Sequence, residues 1–204
     1  MKNKSLSIIA IFLMCLQIPA CSQASNTGAI ASPSPSANIA ADESGAKTNL
    51  PETAEEATTK VTFSTIALDG SPVDSGIFSG SKLTMVNIWA TYCGPCIVEM
   101  PDIQTLYEEV KGSGVNIMGI VIDAPAELES ANEIVSKTGV EYLNIMPDNS
   151  IINDILVYVS GVPTTIFVDS EGNITGRVLV GSRGKDEYKS EMEKTLLGLG
   201  GSGL

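Results

Sequence analysis

The sequence contains no histidine in its 204 residues. Imidazole is the general base of Ser-His-Asp and Cys-His catalysis, and it is a common protein ligand of zinc and copper. The absence of histidine therefore excludes nucleophilic catalysis of these two kinds, and histidine-ligated zinc or copper sites, in their usual forms.

Basic residues are also scarce, with 12 lysines and arginines against 24 aspartates and glutamates and a net charge of −12. An acidic surface of this size is repelled by the phosphates of nucleic acid and by anionic lipid headgroups. We therefore expect neither of them as a partner of the folded surface.

Cysteine occurs only four times, and the first instance, Cys15, lies in an apolar leader. Residues 1–20 have a basic start followed by an uncharged run over residues 6–18, which is too short for a comfortable membrane span and fits the core of a signal peptide. The sequence thus predicts an exported chain in which Cys15 has no function.

Cys21 ends the segment Ile18-Pro19-Ala20-Cys21, which resembles a bacterial lipoprotein cleavage box. This resemblance implies an extracytoplasmic lipoprotein, lipid-anchored at Cys21 in the bacterial cell membrane. The alternative is a plain secretory signal that leaves Cys21 as a free thiol. Residues 21–60 are rich in Ser, Ala, Asn, Thr, Pro and Glu, and this composition predicts a disordered tether.

Cys93 and Cys96 stand between a predicted strand over residues 83–90 and a helical pattern that follows at once. Strand, CxxC and helix in this order indicate a redox site. Unpaired N–H groups and the positive dipole end at the first turn of a helix stabilise a thiolate. Cys93 is therefore the candidate nucleophile, and Cys96, one turn further on the same face, is the candidate resolving thiol.

The rest of residues 61–198 reads as one α/β domain, followed by a flexible C-terminus over residues 199–204. Its predicted elements, in chain order, are a short hairpin turning at Asp69-Gly70, a buried strand over 115–122, a helix over 125–138, a strand-like piece over 142–146, a helical piece over 150–158, a strand over 163–169, an antiparallel strand over 174–180 and a helix over 185–197.

Three motifs occur in order along this domain: residues 89–96, Glu99-Met100-Pro101 and residues 161–165. Together they resemble thioredoxin-fold proteins, and most closely the extracytoplasmic, membrane-tethered thiol:disulfide oxidoreductases of the TlpA/ResA type. The resemblance implies a thioredoxin fold, with a central mixed β-sheet flanked by helices, to which the predicted hairpin adds an N-terminal extension.

The resemblance also implies roles for individual residues. Cys93 and Cys96 form the redox-active disulfide, and Pro163 is cis and faces it, which leaves the backbone of Val162 free to pair with a substrate strand. The alternative for Pro163 is a trans proline that opens an edge strand. The expected substrate-binding residues are Tyr92, Gly94, Pro95, Val162 and Pro163.

Two positions near the dithiol differ from cytosolic thioredoxins. Asn87 stands where those proteins carry a buried acid, and an amide cannot titrate. Glu99 matches a glutamate that recurs in the TlpA/ResA type, where it is a candidate catalytic proton acceptor for the thiols. Alternatively, Glu99 is a solvent-facing acid favoured by the helix dipole.

The resemblance predicts an enzyme that exchanges thiols and disulfides without a cofactor or a metal. Gly94-Pro95 matches the dipeptide of reducing thioredoxins, so we expect reduction of disulfides in exported client proteins, with apocytochrome c or a methionine sulfoxide reductase as candidates. Electrons would come from a membrane thiol reductase. The alternatives are a thiol peroxidase, a thiol-based metal carrier, and an interaction module with a structural disulfide.

Overall fold

The structure is a computed structural model that describes residues 59–204. The predicted signal peptide over residues 1–20, the lipidation site Cys21 and nearly all of the predicted tether lie outside the described residues. Within residues 59–204, no helix is both long enough and apolar enough to cross a membrane.

A five-stranded mixed sheet forms the centre of the domain, with the strand order β5-β4-β3-β6-β7. The strands are β3 (Leu83–Trp89), β4 (Val115–Val121), β5 (Leu143–Ile145), β6 (Thr164–Asp169) and β7 (Ile174–Val180). Strands β3, β4 and β5 are parallel, whereas β6 is antiparallel to both β3 and β7. Every residue of β3 is buried, as expected for an apolar strand covered on both faces.

Four α-helices flank the sheet: α1 (Gly94–Val110), α2 (Ala124–Thr138), α3 (Asn149–Asp154) and α4 (Lys185–Gly198). The predicted helical piece over residues 150–158 is divided into α3 and a 3₁₀ turn at Leu156–Tyr158. Helix α2 ends where Gly139 adopts a left-handed conformation with φ of 69°, which favours glycine at this position.

The sheet separates two apolar clusters. Helices α1 and α4 pack on one face through residues such as Met100, Leu106 and Met192. Helix α3 and the segment before β3 cover the other face through Ile151 and Phe78. Both faces are therefore closed, in agreement with the predicted α/β sandwich of helices and sheet.

The N-terminal hairpin pairs β1 (Ser64–Ile66) with β2 (Pro72–Asp74), and Gly70 in its turn has φ of 85°. The chain continues from β1 alongside β5, where Leu68 N–H donates to Asn144 C=O at 3.0 Å. A bridge between Lys60 and Asn173 places the start of the described chain beside β7. The predicted hairpin extension is confirmed.

Candidate active site

Cys93 and Cys96 form a disulfide at the N-terminus of α1. Cys93 is the N-cap residue, and its Sγ accepts a hydrogen bond of 3.2 Å from Cys96 N–H. Pro95 occupies the first turn, where its lack of an N–H has no cost. Both cysteines are largely buried, but Cys93 retains 6% exposure whereas Cys96 has none, so Cys93 is the more accessible of the two.

Asp123 holds the short turn that joins β3 to Cys93. Its carboxylate accepts hydrogen bonds from Thr91 N–H at 3.0 and 3.1 Å and from Thr91 Oγ1 at 2.6 Å. Asp123 precedes α2, yet its side chain does not cap that helix. Asp123 was not predicted as a site residue, although its position directly after a predicted buried strand was a signal.

A row of polar and small residues crosses the sheet below α1. Asn87 lies opposite Thr165 of β6 on one side and Gly119 of β4 on the other, and Gly119 in turn lies opposite Asn144 of β5. Because side chains alternate along a strand, Asn87 points to the same face as Trp89, towards α1 and α4. Polar groups therefore meet beneath the helix that carries the cysteines.

Glu99 is buried in this region, with only 2% of its surface exposed. Its Oε1 accepts a hydrogen bond of 3.0 Å from Asn87 Nδ2. Its Oε2 accepts from Tyr188 Oη at 2.9 Å and from Arg183 N–H at 3.1 Å. The alternative of a solvent-facing acid is therefore wrong, because the face of α1 that bears Glu99 is covered by α4. Glu99 lies three residues after Cys96, so both side chains share this face.

Two buried tyrosines complete the surroundings of Glu99. Burial raises the pKa of Tyr188, and the nearby Glu99 raises it further. Burial also raises the pKa of Tyr142, with additional contributions from Glu99 and Tyr188. Both phenols are therefore protonated at neutral pH. Neither tyrosine was predicted to have a role, since each is an ordinary aromatic core position in the sequence pattern.

The Val162–Pro163 peptide bond is cis, the form that the resemblance implies. Val162 packs against the apolar cluster that contains both cysteines. Within residues 59–204, its backbone N–H and C=O have no hydrogen-bond partner. Tyr92 is 72% exposed, and Gly94 and Pro95 are exposed beside it. The roles of these residues in substrate binding stay predictions.

The fold and the disulfide at the start of α1 define a thioredoxin-like protein with a CxxC site. The family model described as Redoxin matches residues 51–196. The chain therefore belongs to the Redoxin family, and the predicted resemblance to proteins of the ResA type is confirmed by its relatives.

Two curated relatives illustrate this similarity. The thiol-disulfide oxidoreductase ResA of Oceanobacillus iheyensis is 34% identical over 107 residues, which cover 52% of this chain and 54% of that protein. The thiol:disulfide interchange protein HelX of Rhodobacter capsulatus is 30% identical over 129 residues, which cover 63% of this chain and 69% of that protein. The chain thus matches about half the length of the ResA protein of O. iheyensis.

Solved structures support the fold assignment. A thiol:disulfide interchange protein of the thioredoxin family from Chlorobium tepidum is 28% identical, with a TM-score of 0.60, covering 68% of this chain and 97% of that one. The thioredoxin domain of a thiol-disulfide oxidoreductase from Bacteroides vulgatus is 26% identical, with a TM-score of 0.54, covering 68% of this chain and 98% of that one. The thioredoxin fold predicted from the sequence is confirmed.

Proposed function

We propose that this protein is a thiol:disulfide oxidoreductase that cycles between a dithiol and the Cys93–Cys96 disulfide. The observation that carries the proposal is the Cys93–Cys96 disulfide at the N-terminus of α1, in which Cys93 is 6% exposed and Cys96 is 0% exposed. A more accessible cysteine that can attack, next to a buried cysteine that can resolve, is the arrangement that thiol exchange requires. The names of the relatives support the same activity.

In the reducing direction, the Cys93 thiolate attacks one sulfur of a substrate disulfide. A bond forms between Cys93 Sγ and that sulfur, the substrate S–S bond breaks, and the second substrate sulfur leaves as a thiolate that takes up a proton. The unpaired N–H groups and dipole of α1 favour the thiolate of Cys93, because Cys93 caps this helix.

In the second step, Cys96 loses its proton and attacks Cys93 Sγ. The Cys93–Cys96 bond forms, the mixed disulfide breaks, and the substrate leaves with both sulfurs reduced and two electrons gained. Glu99 is the proposed acceptor of the Cys96 proton, because it is a buried carboxylate on the same face of α1. Val162 and Pro163, with Tyr92, Gly94 and Pro95, are the proposed substrate contacts.

We propose that the protein works outside the cytoplasm, as a bacterial lipoprotein anchored at Cys21 and tethered by residues 21–60. Its proposed clients are exported proteins with disulfides, such as apocytochrome c or a methionine sulfoxide reductase. A membrane thiol reductase is the proposed electron donor. The predicted signal peptide and the Gly94-Pro95 dipeptide support this assignment.

The activity is tested by trapping mixed disulfides. Cys96→Ser should accumulate a covalent complex with insulin or a client protein, because Cys93 attacks and cannot be resolved. Cys93→Ser should accumulate none, and the double variant is the matched control. Capture by Cys93→Ser alone would reverse the two roles.

Turnover separates the proposed activity from the other classes. The reduced protein should reduce insulin disulfides in the presence of dithiothreitol. Faster consumption of hydrogen peroxide than of disulfides would indicate a peroxidase instead. Tight binding of a metal by the reduced protein, without any disulfide exchange, would indicate a metal carrier.

The direction of electron flow is tested by equilibrating the Cys93–Cys96 pair with glutathione. A reduction potential of about −270 mV, as in thioredoxin, supports a reductant, whereas a value of about −120 mV would make the protein an oxidant.

The anchor is tested by labelling cells with an alkyne palmitate. Cys21→Ser should lose the label and Cys15→Ser should keep it.

A further inference from the structure

The carboxylate of Glu99 is held from three separate parts of the fold. Asn87 on β3 donates to Oε1, at 3.0 Å. Arg183, in the loop between β7 and α4, donates its backbone N–H to Oε2 at 3.1 Å, and Tyr188 on α4 donates its hydroxyl to the same oxygen at 2.9 Å. Tyr188 and Glu99 are 89 residues apart in sequence and meet only because α4 packs beside α1.

Two side chains donate hydrogen bonds to Glu99, and Tyr188 is the one that lies on α4. Its ring is fully buried in the apolar cluster that includes both cysteines, so it has little freedom to move away from Glu99. Burial raises the pKa of Tyr188, and the nearby charge of Glu99 raises it further. The phenol therefore stays protonated and can donate its hydrogen bond to Glu99. A glutamate side chain has several rotatable bonds, and fixed donors on both oxygens remove that freedom.

We propose that Tyr188 is a positioning residue for the dithiol: its hydroxyl holds the Glu99 carboxylate on the face of α1 that also bears Cys96. This proposal rests on the proposed thiol exchange, in which Cys96 gives its proton to Glu99 and its sulfur then attacks Cys93. Tyr188 itself exchanges no proton in this step. It keeps the acceptor in place through its hydrogen bond.

The groups that face this carboxylate come from every element packed around it. Asn87 on β3, the Arg183 N–H and Tyr188 on α4 donate to it, and its charge acts on Tyr142. Thr165 on β6 accepts from Asn87 at 3.3 Å, and Cys96 lies on the same face of α1 as Glu99. The guanidinium of Arg183 is engaged by Glu187 at 3.0 Å and by Val180 C=O at 3.2 Å, so its contribution at Glu99 is the backbone N–H. Removal of the Tyr188 hydroxyl therefore changes one contact of Glu99 and leaves the others.

The test measures the titration of Cys96 by thiolate absorbance at 240 nm in the Cys93→Ser background, where Cys96 is the only thiol of the CxxC pair. A carboxylate that Tyr188 no longer holds on the Cys96 face of α1 is free to turn away, and its negative charge then repels the Cys96 thiolate less. We expect Tyr188→Phe to lower the Cys96 midpoint by about 0.5 pH unit or more, since Glu99 shares a buried face of α1 with Cys96 and its charge acts on the thiolate.

The same substitution is then made in a Glu99→Gln background, where no carboxylate remains to be positioned. If Tyr188 acts through Glu99, Tyr188→Phe should not lower the Cys96 midpoint in the Glu99→Gln background. Tyr107→Phe, which removes a phenol from α1 without touching Glu99, is the matched control and should leave the midpoint unchanged. Glu99→Asp, which keeps the charge but shortens the side chain away from the phenol, should lower the midpoint as Tyr188→Phe does.

An unchanged or higher midpoint in Tyr188→Phe would overturn the proposal, and so would an equal fall in the Glu99→Gln background. Cooperative thermal unfolding of each variant shows that it is folded, and Glu99→Asp provides an independent test should Tyr188→Phe not fold. Insulin reduction by the unaltered protein is measured separately. Its absence would refute the proposed exchange activity, whereas the titration needs no turnover and reports on Tyr188 alone.

Discussion

Trp89 donates a hydrogen bond of 2.9 Å from Nε1 to Asn144 Oδ1, and the two side chains meet directly over Gly119. Trp89 ends the strand that leads to Cys93, and Asn144 lies on β5, two strands away. The contact spans β4 only because Gly119 has no side chain. A Cβ at this position would overlap Asn144 Oδ1 and lie 3.1 Å from Trp89 Nε1.

Gly119→Ala should therefore be strongly destabilising, although it adds only one methyl group. The added methyl group displaces Asn144 and leaves the buried indole N–H without its acceptor, and we expect a loss of about 3 kcal/mol in the free energy of unfolding. Urea unfolding measures the change. Gly80→Ala, where an added Cβ meets nothing within 4 Å, is the control and should change stability by less than about 0.5 kcal/mol. Equal effects of the two substitutions would contradict the assigned role of Gly119.

Asp123→Ala should loosen the turn before Cys93. It removes the acceptor for both the N–H and the hydroxyl of Thr91, and we expect a loss of about 2 kcal/mol in the free energy of unfolding. Thr91→Val removes only the hydroxyl bond and should cost about 1 kcal/mol. A larger loss from Thr91→Val than from Asp123→Ala would show that the backbone contact contributes nothing.

Alkaline pH should destabilise the protein through Tyr142 and Tyr188. Burial raises the pKa of both above the usual value of 10.0, so the folded state keeps protons that the unfolded state loses. Their contribution to stability is therefore complete below about pH 10 and is lost as pH rises above it. Thermal unfolding between pH 8 and pH 11 measures this decline.

Tyr142→Phe tests the same point with one residue. The Tyr142 hydroxyl is buried, and within the described part of the chain it has no hydrogen-bond partner. Its removal should leave stability at pH 7 unchanged or slightly higher, and should reduce the loss between pH 10 and pH 11. Destabilisation at pH 7 would mean that the hydroxyl makes a contact after all.

An exposed ion pair joins α1 to α4 and should be sensitive to salt and acid. The hydrogen bond from Lys185 lowers the pKa of Glu109 below its usual 4.5, against a smaller opposing effect of burial, and Lys189 contributes at 3.3 Å. The contribution of Glu109 is present above about pH 4.5 and is lost as pH falls below it. Glu109→Gln should cause a small fall in Tm at pH 7 that disappears in 1 M salt.

The sequence predicted the elements whose patterns are local. The apolar run of β3, the CxxC and the helical spacing of α1 are contiguous, and the glycine after α2 marks its end. The thioredoxin fold followed from these motifs in order. The division of the helical piece over residues 150–158 into α3 and a 3₁₀ turn was not predicted, because short helical patterns give little indication of where their hydrogen bonds change.

The contacts around the dithiol could not be predicted in the same way. A glutamate on a helix reads as a surface residue, and Tyr188, which donates a hydrogen bond to Glu99, lies on α4, 89 residues further along the chain. The bond between Asp123 and Thr91 likewise joins the ends of two strands that are 32 residues apart. Such contacts are set by tertiary packing, and a single sequence shows the residues without showing which of them meet.

The path of the chain beside β5 has a consequence for encounters between copies of the protein. Residues 66–68 form hydrogen bonds to Asn144 and Met146 along the outer edge of β5. The backbone groups at this edge of the sheet are therefore not available to pair with a strand of another molecule. At the other end, Ile174 N–H donates to Thr59 C=O at 3.0 Å, and Val178 and Val180 further along β7 are 36% and 49% exposed. Within residues 59–204, β5 is therefore protected against pairing with a strand of another molecule, whereas the second half of β7 carries exposed valines.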